Sequence, residues 1–202
     1  MVESNFVLEL ALEQEEAGHA EATIALADRR AIELVVPAWS LGEPHETLGR
    51  RAKDTKTTAR TLREEASRLI RSRSSADLAE TAGFLSNALD GRADGEARSL
   101  KKTLSRLLAA ATVLPLSKSV VEAALQFQSA FGLSPQDAIV FASVDEYLRG
   151  LAKGPKVFIN KDYADFFKSE IRIHFQQLEC RLLSRIASAR QFLENEVRRR
   201  DH

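Results

Sequence analysis

Residues 32–43, IELVVPAWSLGE, decide the fold class of this chain. The first five residues are aliphatic apart from one glutamate, which is typical of a strand buried in a parallel sheet. Pro37 ends the strand, and a helix is expected to follow, because proline is favoured in the first turn of a helix. A strand that leads directly into a helix is the unit from which parallel α/β sheets are built.

The same alternation recurs along the chain. Strands are predicted at Thr112–Leu116, at Pro155–Asn160 and, briefly, at Ile171–Phe175, with helical patterns between them. Met1 and Val2 form only a stub before Glu3, so either the first strand is truncated or the true start lies upstream. We predict an α/β fold with a short parallel sheet of four to five strands flanked by helices. Right-handed crossovers would place all strand C-termini at one edge.

The segment 50–111 is longer than a compact core of this type needs. We interpret it as a long helical insertion within a single domain that spans residues 1–202. Inside it, helices are predicted at Leu78–Leu89 and Glu96–Ala111, and Gly91–Gly95 is the clearest loop in the sequence.

Composition sets further limits. A chain of 202 residues with 44% hydrophobic residues can bury one good core. Its single cysteine, Cys180, lies in a helical pattern and is expected to be a buried thiol, which suits a reducing compartment. No apolar run approaches the roughly 18–20 residues that span a bilayer, and no basic leader opens the chain. We therefore expect a soluble cytoplasmic protein with no membrane partner.

The formal net charge is zero, but it is unevenly distributed. Residues 1–46 carry ten acidic residues and two arginines, whereas residues 50–73 carry nine basic residues and three acidic ones. An acidic centre beside a basic arm suits phosphodiester cleavage, since basic side chains offset phosphate charge. The alternative for the arm is a helix face on which many charges are simply solvated.

Four acidic residues lie where a strand ends or a helix begins: Glu3, Glu43, Asp137 and Asp162. In parallel α/β sheets, ligands bind in the crevice outside the carboxyl ends of the strands. Carboxylates gathered there repel one another and are normally balanced by a hard divalent cation with oxygen ligands, here expected to be Mg²⁺ or Mn²⁺. Each acid also has a structural explanation as a surface, turn or helix-terminus residue.

The segments around these acids resemble the four motifs of the PIN-domain nuclease family over most of the chain. Residues 2–9, VESNFVLE, are similar to its opening strand and Asp-Ser/Thr-Asn motif, with Glu3 in place of the aspartate. Residues 37–43 resemble the second motif, which carries a glutamate one turn into a helix. Residues 134–140, SPQDAIV, match the third closely, and residues 157–166 resemble the fourth, although they offer both Asp162 and Asp165.

The resemblance implies endonucleolytic cleavage of RNA with Mg²⁺ or Mn²⁺ as cofactor, in a toxin-like or RNA-processing role. It also implies homodimers and, for a toxin, an antitoxin-type protein partner. The expected catalytic residues and metal ligands are Glu3, Glu43, Asp137 and Asp162, with Asp165 as a further ligand. Glu46, on the same helix face as Glu43, is an alternative ligand. Ser4, Asn5 and Asn160 are expected to orient the carboxylates, and the basic residues expected to contact nucleic acid are Arg50, Arg51, Lys53, Lys56 and Arg60.

Two other functional classes remain open. A catalytically degenerate scaffold would bind RNA or a protein partner without cleavage, and a purely helical interaction protein would lack parallel strands. His45 and His174 lack neighbours at zinc-ligand spacing, so no zinc site is expected. Trp39 is expected in the core rather than as a platform on which bases stack.

Overall fold

The computed structural model describes residues 1–71 and 73–200. The chain divides into two compact units, one formed by residues 1–44 and 103–202 and the other by residues 45–102. Two long helices contribute to both units. The interpretation of residues 50–111 as an insertion within a single domain stays a prediction.

The first unit is mostly helical, with four short strands. Its elements are α1 (Ser4–Ala11), α2 (Ala17–Asp28), β1 (Leu34–Pro37), the start of α3 (Ala38–Leu69), the end of α4 (Ala76–Ala110), β2 (Ala111–Leu114), α5 (Lys118–Phe131), α6 (Pro135–Gly150), β3 (Lys156–Ile159), α7 (Tyr163–Phe166), α8 (Ser169–Gln177), β4 (Cys180–Leu183) and α9 (Ile186–Arg200).

The strands form two parallel pairs. β1 pairs with β2, and β3 pairs with β4. The prediction of parallel strands flanked by helices is confirmed, whereas the prediction of one sheet of four to five strands is wrong. The Met1–Val2 stub lies between the pairs: the Val2 amide donates to the Val35 carbonyl at 2.9 Å, and the Ile159 amide donates to the Met1 carbonyl at 3.0 Å. Because only two residues precede Glu3, they form an isolated bridge to Ile159 and no full strand.

The last strand lies in a different segment from the predicted one. Ile171–Phe175 belongs to α8, and the strand is Cys180–Leu183, which was predicted to be helical. The alternating apolar residues of 171–175 suggested a strand. In the structure, however, Ile171 and Phe175, which are four residues apart, are both buried, whereas Ile173 is exposed. That is the pattern of one helix face. Cys180 is buried, as predicted, and is a free thiol.

Aromatic side chains fill much of the core beneath α6. Phe141 contacts Phe127 at a ring-centroid distance of 4.7 Å and Phe175 at 5.3 Å. Trp39 is partly buried against this core, as expected from the sequence. These packed aromatic rings join α5, α6 and α8 in one core.

The second unit is an antiparallel pair of helices, formed by the rest of α3 and α4. α4 buries Ala79, Ser86, Ala93 and Leu100 at intervals of seven residues, which is the spacing of a coiled-coil seam. The Ser86 hydroxyl donates to the Ala59 carbonyl at 2.9 Å, and ion pairs join Lys56 to Asp94 and Arg63 to Asp90.

The predicted loop at Gly91–Gly95 is wrong, because α4 runs through it without interruption. Ala93 is buried in the seam, and Asp90 and Asp94 bind basic residues of α3. An ion pair between Arg92 and Glu96, four residues apart, supports the same turn. These interactions outweigh the low helix propensity of the two glycines.

Among the described residues, none of the helices combines the length and the apolar composition that crossing a bilayer requires.

Candidate metal centre

Each acidic residue of the candidate centre lies at the start of a helix or within its first two turns. Glu3 is the N-cap of α1, and Asp162 is the N-cap of α7, which also contains Asp165. Asp137 is in the first turn of α6, behind the N-cap Ser134, and Glu43 is in α3, which starts directly after β1. Positive helix N-termini favour nearby carboxylates, so these positions suit an acidic cluster.

Glu3 is almost entirely buried, with 4% of its surface exposed. Its Oε2 accepts hydrogen bonds from the Asn5 amide at 2.8 Å and from the Ser4 hydroxyl at 2.9 Å. Its Oε1 is also buried and forms no hydrogen bond of normal geometry among the described residues, although the amide of Lys161 lies near this carboxylate. A buried carboxylate oxygen without a partner is costly, and each such group calls for an explanation.

Burial raises the pKa of Glu3 from 4.5 to about 7. Hydrogen bonds from Asn5 and Ser4 and the nearby amide of Lys161 oppose this shift, whereas the charge of Glu43 adds to it. A pKa near neutrality means that a cation at this site competes with a proton for the same carboxylate.

Ser4 connects Glu3 to Glu43. Its hydroxyl oxygen lies 2.9 Å from Glu3 Oε2 and 2.6 Å from Glu43 Oε2. A serine hydroxyl has a single hydrogen to donate, so it can serve only one ionised carboxylate at a time. Ser4 therefore lies between two of the predicted acids, and its role in orienting metal ligands stays a prediction. Asn5 contacts Glu3 through its backbone amide and not through its side chain.

Asp137, Asp162 and Asp165 form the other part of the cluster. Each offers one carboxylate oxygen, and these oxygens lie within 4.8 Å of one another. The Ser134 hydroxyl donates to Asp137 Oδ2 at 2.5 Å, and Asn160 Oδ1 accepts from the Asp162 amide at 2.7 Å. Three half-buried carboxylates at this spacing form an all-oxygen donor set, which suits Mg²⁺ or Mn²⁺.

Electrostatics join the two parts of the cluster. Burial raises the pKa of Asp137, and the charges of Asp162, Asp165 and Glu43 raise it further, while the hydrogen bond from Ser134 lowers it. Glu43 therefore interacts with both Glu3 and Asp137. The structure brings Asp137, Asp162 and Asp165 together and joins Glu3 to Glu43 through Ser4, and the charge of Glu43 acts on Asp137. Glu46 is exposed.

The cluster contains more negative charge than the protein neutralises. Among the side chains that the structure describes, only Lys168 forms an ion pair with a member, at 3.5 Å from Asp165. Other buried acids have cationic partners: Lys161 binds Glu9 and Glu16, and Asp145 binds Arg149 and His174. The missing positive charge distinguishes this centre from the ordinary buried acids of the same chain.

The network around Lys161 is not evident from the sequence. Lys161 lies between Asn160 and Asp162, yet its ammonium group binds Glu9 and Glu16. Glu16 also accepts from the amides of Ile186 and Ala187 and so caps α9. These partners are more than 140 residues apart, and no local pattern predicts such a contact.

We expect Glu9→Gln to lower the free energy of unfolding by about 1–3 kcal/mol, because the ammonium of Lys161 would lose an ionised partner. Urea unfolding of Glu9→Gln beside Glu15→Gln, which changes an exposed glutamate, measures this effect. Equal stability of the two variants would contradict it.

The predicted nucleic-acid contacts lie on α3 in the second unit. Arg50, Arg51 and Lys53 are exposed and form no ion pair among the described residues, whereas Lys56 binds Asp94 and Arg60 binds Glu64. Three of the five predicted contacts are therefore uncompensated cations.

His174 packs against the aromatic core and contacts one carboxylate. Its Nε2 lies 2.6 Å from Asp145 Oδ1, and its ring contacts Phe127, Phe131 and Phe141. His45 is exposed. Neither histidine belongs to a group of potential metal ligands within the described part of the chain.

Comparison of the chain with protein-family models, with curated proteins and with solved structures finds no match in any of the three.

Proposed function

We propose that this protein is a metal-dependent endoribonuclease whose cation is held by the acidic cluster. The observation that carries the proposal is the buried, unpartnered Oε1 of Glu3 in an acidic region whose other members, Glu43, Asp137, Asp162 and Asp165, form a single ion pair among the described side chains. Buried charges in proteins are paired or coordinate metals. A divalent cation would supply both the missing partner of Glu3 and the missing positive charge.

Asp137, Asp162 and Asp165 are the residues best placed to hold the cation, because their carboxylate oxygens lie close together. Glu43 and Glu3, which are joined by the Ser4 hydroxyl, are the further candidate ligands. A divalent cation bound there would lower the pKa of the water molecule that it binds and would stabilise negative charge on a phosphoryl group.

The surrounding residues fix the carboxylates. The Ser134 hydroxyl holds Asp137, and the amides of Ala164 and Asp165 donate to Asp162 Oδ1. Asn160 is 2% exposed, and its side chain holds the Asp162 amide. Hydrogen bonds of this kind orient ligands before a cation arrives, which strengthens binding.

RNA is the proposed substrate. The support is the resemblance of four acidic motifs to the PIN-domain family, together with the uncompensated cations Arg50, Arg51 and Lys53. Basic side chains of this kind neutralise backbone phosphates irrespective of sequence. A toxin-like or RNA-processing role, an antitoxin-type partner and a cytoplasmic location belong to the same proposal.

Incubation of the protein with total RNA and Mn²⁺, followed by mapping of fragment ends, tests this function. We expect discrete cleavage by the wild type and a loss of at least about 100-fold in Asp137→Asn, the scale expected when a group that stabilises transition-state charge is removed. Asp28→Asn, which changes an exposed acid outside the centre, should cleave normally.

Cleavage that persists in Asp137→Asn would come from a contaminating nuclease and would remove the support for this function. RNA that is retained by the protein but stays intact with Mn²⁺ would instead favour the non-cleaving scaffold.

A further inference from the structure

One face of α4 points away from the seam that this helix forms with α3. We call it the outer α4 face. Its positions follow the heptad spacing of a second seam, on the opposite side from Ala79, Ser86, Ala93 and Leu100. Its members, all exposed except the half-buried Gly95, are Asp77, Thr81, Phe84, Ala88, Gly91, Gly95, Arg98 and Lys102.

The charges on the outer α4 face are polarised along the helix. Asp77 lies at its beginning, and Arg98 and Lys102 lie at its end. None of the three forms an ion pair with another described side chain, although α3 and α4 carry ion pairs elsewhere. A face with unpaired acid at one end and unpaired base at the other is complementary to itself when two copies run antiparallel.

The sizes of the central residues are also complementary. Phe84 is 72% exposed, so its ring is free to pack against another molecule. Gly91 and Gly95 lie in the middle of a 35-residue helix, and a Cβ atom at either would meet nothing within 4 Å. Glycine is disfavoured inside helices, and nothing within the second unit requires it at these positions.

Reversal of the face about its centre aligns these features. Asp77 then lies opposite Lys102, Thr81 opposite Arg98, Phe84 opposite Gly95, and Ala88 opposite Gly91. Each pair joins an acid to a base, a polar side chain to a charged one, or a larger side chain to a smaller one. A two-fold interface requires this kind of self-complementarity, because the same patch serves both subunits.

We propose that the outer α4 face binds the same face of a second copy of this chain, with the two α4 helices antiparallel. Phe84 of each copy packs over Gly95 of the other, and Asp77 of each pairs with Lys102 of the other. The second copy is the occupant favoured over an unrelated helix because both charge and size match under one symmetry operation. The inference is independent of the proposed nuclease activity.

Sedimentation equilibrium of the full chain, over a range of protein concentrations, tests this proposal. We expect a dimer whose dissociation constant rises at least about tenfold in Gly95→Gln, since a long side chain would block the approach of Phe84. Because glutamine favours helix more than glycine does, the same variant should melt at an equal or higher temperature by circular dichroism when both proteins are diluted until they are monomeric. Gly49→Gln changes a helical glycine outside this face and should leave the dimer unchanged.

Exchange of the charges at positions 77 and 102 gives a second, independent test. Asp77→Lys and Lys102→Asp should each weaken the dimer, and the double variant should restore it, because the exchanged charges pair across the interface. A wild-type chain that stays monomeric above about 100 µM, or a dimer unaffected by both Gly95→Gln and the charge variants, would overturn the proposal. If the chain is monomeric, the partner of the outer α4 face would have to be a different protein.

Discussion

Asp137→Asn should weaken binding of Mn²⁺ to the protein by at least about 100-fold, because residues that merely support metal ligands already contribute about 10–100-fold. Asp137 interacts with several other acids: its carboxylate lies close to those of Asp162 and Asp165, and the charge of Glu43 raises its pKa. The asparagine oxygen could still accept the Ser134 hydrogen bond, so the first turn of α6 should stay folded.

Isothermal titration calorimetry with Mn²⁺ measures the loss. Asp28→Asn is the matched control, since it makes the same chemical change at an exposed site outside the centre. Affinity that is unchanged in Asp137→Asn, or equally reduced in both variants, would argue against a cation at this cluster.

Glu3→Gln should stabilise the metal-free protein above pH 7 and remove most of its response to Mn²⁺. The pKa of Glu3 is raised on folding from 4.5 to about 7, a shift that corresponds to about 3 kcal/mol. Between these pH values the folded protein binds more protons than the unfolded chain, so the stability present below pH 4.5 is lost as the pH rises to about 7. Glutamine has no charge to bury and avoids this loss.

Thermal or urea unfolding at pH 4.5 and pH 8, with and without Mn²⁺, tests the Glu3→Gln prediction. The variant should match the wild type at pH 4.5, exceed it at pH 8 without metal, and gain much less than the wild type when Mn²⁺ is added. Glu15→Gln should show the same difference from the wild type at both pH values. A Glu3→Gln protein that is less stable at pH 8 than the wild type would contradict the assignment of a buried carboxylate with a raised pKa.

The strand–helix junctions of the first unit were predictable because their signals are local. Proline after an aliphatic run marks the start of α3, and Ser134-Pro135 marks the start of α6; both helices carry an acid in the cluster. The convergence of Glu3 and Glu43 also follows from parallel topology, which places strand ends together. The hydrogen bonds that Met1 and Val2 form with β1 and β3 could not be predicted, because two residues are too few to show a periodic pattern.

Other features depend on contacts between distant segments. The continuity of α4 through Gly91 and Gly95 depends on partners in α3, and the site of the last strand depends on which apolar residues of 171–183 face the core. Local propensity indicated a loop in the first case and a helix in the second. In both, tertiary packing outweighs propensity.

The short segment between β3 and α7 contacts both the carboxylate cluster and, through Glu16, the start of α9. Asn160 and Asp162 serve the carboxylate cluster, while the intervening Lys161 reaches Glu9 and Glu16, and Glu16 in turn caps the first turn of α9. A shift of the C-terminal helix would therefore pull on the residue that separates two members of the cluster. Substitutions at the base of α9, far along the chain from every carboxylate ligand, would act at long range on their spacing.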